Sequence, residues 1–181
     1  ILEAPVDGSS LRSIIEFLID KNDVSVVYLT QTSLPVYDER AIDNLSVIVD
    51  SADYRLNSAP GVWRREDLIK YTGIDDSPWA WEVFGSYRTY GNGKIFYTLR
   101  SNVKDIYPYN YTMGGAIYRG KWVKEVVDDK IRKYCLDIDT SVRGFSEYAP
   151  QEVRTFKWKI DFLKLGFKMV GFRAFIFFLS F

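Results

Sequence analysis

The chain has 181 residues, enough for one domain around a single core, and its 47% hydrophobic and 27% charged residues form a globular composition. Its 24 basic and 24 acidic residues cancel, which removes the electrostatic argument for nucleic-acid binding. There is no histidine and a single cysteine, Cys135; Ser-His-Asp triads, histidine zinc sites and an internal disulfide are excluded, and acid–base work at neutral pH falls to carboxylates, tyrosines or lysines.

The opening Ile1–Asp7 reads as the middle of a loop after a strand, as in a fragment or a processed chain. Ser9 or Ser10 can cap a helix over 11–21, where Leu11, Ile14, Ile15, Leu18 and Ile19 recur at helical spacing. Val24–Leu29 is a β-rich run typical of a buried strand, and helix followed by strand is an α/β rhythm. Gln31–Asn44, polar and carrying Pro35, reads as a loop, and 54–57 as a short strand.

A helix is expected over 62–71, and a second from Ser77 with Pro78 in the first turn, where its missing N–H costs nothing. Gly91-Asn92-Gly93 then turns into a strand over 94–99. Strand-like 115–118 runs through Arg119-Gly120-Lys121-Trp122 into a helix over 123–134. After Pro150 a helical stretch reaches the C-terminus, so the expected division is an α/β domain over 1–149 and a helical extension over 150–181.

Three segments carry a resemblance: Asn57-Ser58-Ala59-Pro60-Gly61-Val62-Trp63-Arg64-Arg65-Glu66-Asp67-Leu68; Ser77-Pro78-Trp79-Ala80-Trp81-Glu82-Val83-Phe84-Gly85-Ser86; and Gly115-Ala116-Ile117-Tyr118-Arg119-Gly120-Lys121-Trp122. In order and at plausible spacing, they resemble a family of bacterial glycosyltransferase-like proteins of capsular and exopolysaccharide gene clusters. The resemblance covers roughly residues 50–145 and implies the C-terminal part of a GT-A, Rossmann-like domain. It implies metal-dependent, inverting transfer from a nucleotide sugar to a polysaccharide or lipid-linked acceptor. The alternative is a non-catalytic carbohydrate-binding or membrane-associated scaffolding protein.

Inverting transfer needs a base for the acceptor hydroxyl, and Glu82 is the candidate. Trp79, three residues before it, shares its helical face, and neighbouring indoles would desolvate the carboxylate. Trp79 and Trp81 cannot share a face; Trp79 is the expected sugar platform and Trp81 the second candidate contact, one lining the site while the other enters the core. Arg119 and Lys121, flanking Gly120, suit the charge of a diphosphate leaving group, or form a charged surface turn. Trp63 reads as packing, and Arg64 and Arg65 as solvated surface or a phosphate contact.

The resemblance also implies Mg2+ or Mn2+, with an acidic motif expected before Ile1. Asp137-Ile138-Asp139 matches an Asp-x-Asp motif literally, but it follows the last helix of the α/β unit and is set aside, as are Asp75-Asp76 and Asp128-Asp129; no metal ligand is assigned. One thiol without a signal-peptide pattern suits the cytoplasm. Over 156–181, Lys157, Asp161, Lys164 and Lys168 gather on one side of a helical wheel. That describes a basic amphipathic helix lying on the inner membrane surface rather than spanning it.

Overall fold

The computed structural model describes residues 4–108, 115–118, 120–146 and 154–179, the side chains of 38–42, 178 and 179 apart. The chain is mixed α/β and divides into two compact units, one of Val6–Tyr107 with Arg154–Phe181 and one of Ile1–Pro5 with Pro108–Val153. The C-terminal stretch, expected as a separate extension, packs with the first of these.

The larger unit is built on a five-stranded sheet in the order β2-β3-β5-β1-β4. Its strands are β1 (Val24–Tyr28), β2 (Val36–Ile42), β3 (Leu45–Ile48), β4 (Gly61–Trp63) and β5 (Ile95–Leu99). Only β1 and β5 run parallel; the other pairings are antiparallel. The Val-rich β1 is buried along its whole length because it is flanked on both edges and covered on both faces. The run from Gln31 to Asn44, expected as a loop, contains β2, which enters the sheet as an edge strand beside β3.

One face of the sheet packs Val27, Leu29, Leu45, Val47, Tyr97 and Leu99 against α1 (Gly8–Asp20) through Ile14 and Leu18. The helix is capped by Asp7 rather than by Ser9 or Ser10: one carboxylate oxygen accepts from the backbone N–H of both serines. Hydrogen bonds from the two serine hydroxyls and the Ser10 N–H hold the Asp7 carboxyl well below the usual carboxylate range.

The other face, with Val26, Tyr28, Ile48 and Phe96, is covered by Ala52, Leu56 and Tyr71. Here the helix expected over 62–71 is instead β4 followed by α2 (Arg65–Tyr71). Arg64, between them, donates to the carbonyls of Leu18, Lys21 and Val24, which ties it to the C-terminal end of α1 rather than to solvent or a phosphate. Trp63 packs edge-on against Tyr28 and Phe96.

The helix expected from Ser77 begins there, with Ser77 Oγ accepting from Ala80 N–H. It is α3 (Pro78–Ala80), a π-turn (Trp81–Gly85) and α4 (Ser86–Thr89) in unbroken succession. Against it lies α6 (Phe156–Val170), capped by Thr155. The expected continuous C-terminal helix breaks at Gly171, whose φ of 59° suits a residue without Cβ. A 3-10 turn (Gly171–Phe175) and α7 (Ile176–Leu179) follow. The break brings Ala174 and Phe177 into one buried cluster with Phe162, Ala80, Val83, Phe84 and Tyr87.

The smaller unit holds a three-stranded sheet of β6 (Ile117–Tyr118), β7 (Lys121–Val123) and β8 (Phe145–Ser146) in the order β6-β7-β8. Its helix is α5 (Lys124–Tyr134), ended by Cys135 in the left-handed region. Asp139 accepts from the Ser141 hydroxyl and N–H, which lower its pKa; that carboxylate is engaged in a local turn.

Candidate active site at the carboxyl edge of the parallel strands

The apolar face of the sheet gives way to hydroxyls at one edge. Two residues beyond Tyr28 and Phe96 stand Thr30 and Thr98, and two before Ile48 stands Ser46, which faces Thr98 in register. All three are buried. Thr98 Oγ1 donates to the Thr30 carbonyl at 3.2 Å, and Thr32 Oγ1 donates to Thr98 Oγ1 at 3.2 Å.

This is the carboxyl edge of the parallel pair β1 and β5, the side on which open α/β sheets bind ligands. A crevice of about 390 Å³ opens there between the loops leaving the two strands, lined by Gln31, Thr32 and Ser33 on one side and Arg100, Ser101 and Asn102 on the other. Leu34 and Val36 form its apolar wall. Gln31 is fixed: its N–H donates to Asp105 Oδ1 at 2.8 Å and its side-chain amide to the Val103 carbonyl at 2.6 Å. The side chains of Ser33, Ser46, Ser101 and Asn102 have no hydrogen-bond partner among the described residues, so they are free to meet a ligand. A crevice of hydroxyls and amides with one apolar wall matches the surface of a polyhydroxylated ligand.

Glu82 belongs to the same edge. Its Oε1 accepts from the Ser58 N–H at 2.9 Å and from the Ser58 hydroxyl in a short hydrogen bond. Ser58 lies in the loop whose Pro60 carbonyl accepts from Leu29 N–H, directly after β1, and whose Asn57 N–H donates to the Tyr28 hydroxyl. The carboxylate is therefore tied to the carboxyl end of β1 on the hydroxyl-bearing face. Oε2 has no partner among the described residues. Glu82 sits in the first turn of the π-turn, and such insertions are frequent at functional sites because they redirect side chains within a helix. The first two segments of the sequence resemblance thus meet in space: Glu82 holds Ser58, and Ser86 Oγ accepts from the N–H of Leu56, just before the first segment.

The indoles behave differently from one another. Trp79 stacks on Phe162 with ring centroids 4.1 Å apart, and the Arg154 guanidinium stands 4.0 Å from the Trp79 centroid. Both contacts come from the segment around α6 and cover part of the half-buried Trp79 ring. The Trp79 side chain joins the α6 cluster, while the Glu82 carboxylate engages Ser58. Trp81 packs against the cluster of Leu56 and Tyr71, and its Nε1 is buried with no acceptor among the described residues.

Lys121 lies in the smaller unit, exposed at the start of β7. Arg119 lies outside the described residues. The neighbouring Gly120 carbonyl accepts from Arg143, whose guanidinium faces the Trp122 ring. Among the described residues no group of three or more Asp, Glu or Cys side chains is placed to hold a metal ion.

A second crevice, of about 430 Å³, lies on the α1 face, lined by Asp7, Ser10, Phe17, Leu99 and Lys104 among others. Its carboxylate, Asp7, is committed to capping α1. The carboxyl-edge crevice, lined by polar groups without partners among the described residues, is the better candidate. The sequence reading missed it, because Gln31–Ser33 and Arg100–Asn102 are unremarkable polar stretches until β1 and β5 are paired. Compared with known protein families, curated proteins and solved structures, the chain matches none of them.

Proposed function

We propose that this chain is part of a GT-A-like glycosyltransferase that moves a sugar from a nucleotide-sugar donor to a polysaccharide or lipid-linked acceptor. The observation that carries the reading is the polar crevice at the carboxyl edge of β1 and β5, with Glu82 anchored to that edge. In this reading the crevice receives the acceptor glycan, whose hydroxyls meet Ser33, Ser46, Ser101 and Asn102.

Glu82 then acts as base. The acceptor hydroxyl oxygen bonds to the anomeric carbon, its proton passes to Glu82 Oε2, and the bond from that carbon to the diphosphate oxygen breaks with inversion. Ser58 holds the carboxylate through Oε1 and leaves Oε2 to face the acceptor. Trp79 is not part of this proposal, and no step passes through a metal ion.

The test is transfer measured by release of nucleoside diphosphate across a panel of nucleotide sugars and acceptor saccharides, with Mg2+ and Mn2+ supplied. Glu82→Gln keeps an acceptor for Ser58 and removes the base, so transfer should fall by roughly 10²–10⁴ with saccharide affinity unchanged. Turnover by Glu82→Gln at the unsubstituted rate removes Glu82 from the mechanism. The double engagement of Oε1 by Ser58 also suits a second reading, in which Glu82 braces the 57–60 loop of a carbohydrate-binding protein. Saccharide binding without transfer in either protein is the result that favours it.

A further inference from the structure

The break at Gly171 leaves an aromatic crest. Phe172 is 85% exposed and Phe175 50% exposed, and they stack with centroids 6.5 Å apart. Phe167 supports both edge-on, at 6.2 and 4.8 Å. Neither phenylalanine belongs to the buried cluster, where Phe162, Ala174 and Phe177 fill the interface with α3 and α4. Next to the crest, Lys168 pairs with Asp75 at 2.7 Å, so the fully exposed Ile74 is carried on a loop tied to the end of α6.

Charge identifies what covers it. From Arg154 onward the segment carries six cations (Arg154, Lys157, Lys159, Lys164, Lys168 and Arg173) against one carboxylate, Asp161, in a chain whose 24 basic and 24 acidic residues cancel. The segment that exposes the aromatics is therefore net positive by five charges. No helix among the described residues is long and apolar enough to cross a membrane. Exposed aromatics within a basic helical segment are the pattern of an interfacial membrane contact, apolar rings entering the acyl boundary while cations meet anionic headgroups.

We propose that the 171–175 turn, led by Phe172 and Phe175, is a wedge that inserts into the surface of an anionic lipid membrane. The whole of α6 does not lie flat on it, because the face bearing Phe162 and Gly166 is already buried against the domain. The inference stands independently of the transferase reading.

The test is flotation of the full chain with vesicles of phosphatidylcholine alone and of phosphatidylcholine mixed with phosphatidylglycerol. The chain should float with the anionic vesicles and be released by added salt. The double variant Phe172→Ser/Phe175→Ser should lose binding by about tenfold or more, given the apolar area of two rings. Phe156→Ser, which removes an exposed ring at the far end of α6, should change it less than about twofold on the same area argument. Thermal melts of each variant establish that the fold is retained. Equal flotation with neutral and anionic vesicles, or undiminished binding by the folded double variant, overturns the proposal. So does a concentration-dependent dimer that the double variant abolishes in the absence of vesicle binding, which would make the crest a contact with a second copy.

Discussion

Arg55 is 1% exposed, and its guanidinium joins three parts of the chain that lie far apart in sequence. One terminal nitrogen donates to the Thr89 carbonyl at 3.0 Å; the other donates to the Lys94 carbonyl at 2.6 Å and pairs with Asp50 Oδ1 at 3.3 Å. Cζ lies 4.1 Å from the Phe96 ring centroid. Burial lowers the pKa of the group, and the Asp50 carboxylate acts in the opposite sense. The loop of residues 50–57, which delivers Ser58 to Glu82, is tied by this side chain to the end of α4 and the residue before β5, beside the Leu56–Ser86 hydrogen bond. Lysine carries the charge but cannot serve several acceptors from a planar fork. Arg55→Lys should therefore cost about 3 kcal/mol, at the lower end of the range for breaking a buried ionic cluster. Urea denaturation measures it, and a loss within the ±0.5 kcal/mol of an ordinary surface substitution would refute the role given to Arg55.

Among the elements, the contact of α6 with α3 and α4 depends on Gly166. A Cβ there would collide with the Phe84 ring, which is itself packed on Phe162 and Phe177. Gly166→Ala gains up to about 1 kcal/mol of helix propensity. It meets an overpacking penalty of roughly 1–3 kcal/mol. The expected outcome is a net destabilisation of about 1 kcal/mol, read as a lower denaturation midpoint at unchanged m-value; stabilisation would mean that α6 is not seated on Phe84.

Elements with strong local signals were legible in the sequence: the Val-rich β1, the Pro78 helix start and the strand after Gly91-Asn92-Gly93. What escaped depended on partners. β2, with Asp38, Glu39 and Arg40 in its middle, has the charged composition of an edge strand and reads as loop until β3 pairs with it. β4 has only three residues and was absorbed into the helix that follows. The π-turn has no sequence period of its own, so the segment from Ser77 reads as one regular helix. Gly171 was visible in the sequence, but the return of Phe177 onto Phe84 was not, since that burial exists only once α6 is docked.

At the scale of the molecule, the candidate site is a product of the sheet order. The spacing of Tyr28 to Thr30, Phe96 to Thr98 and Ser46 to Ile48 was present in the sequence, but the three hydroxyls become one surface only when β1, β5 and β3 lie side by side. Glu82, singled out from its motif, reaches that edge through Ser58, 24 positions away. The larger unit thus presents two candidate surfaces: the polar crevice and the basic, aromatic crest at Gly171. A lipid-linked acceptor is the substrate class that would use both.

The central claim, that the carboxyl edge of β1 and β5 is a saccharide site, is tested most directly by titrating the isotope-labelled chain with acceptor saccharides and nucleotide sugars and following backbone amide shifts. The account predicts saturable shifts confined to the 31–34 and 98–102 loops and to Ser58. Asn102→Ala should weaken the interaction about fivefold, as expected for one lost hydrogen bond. Shifts that leave those loops unmoved, or that gather instead around Asp7, Ser10 and Lys104 on the α1 face, would contradict it.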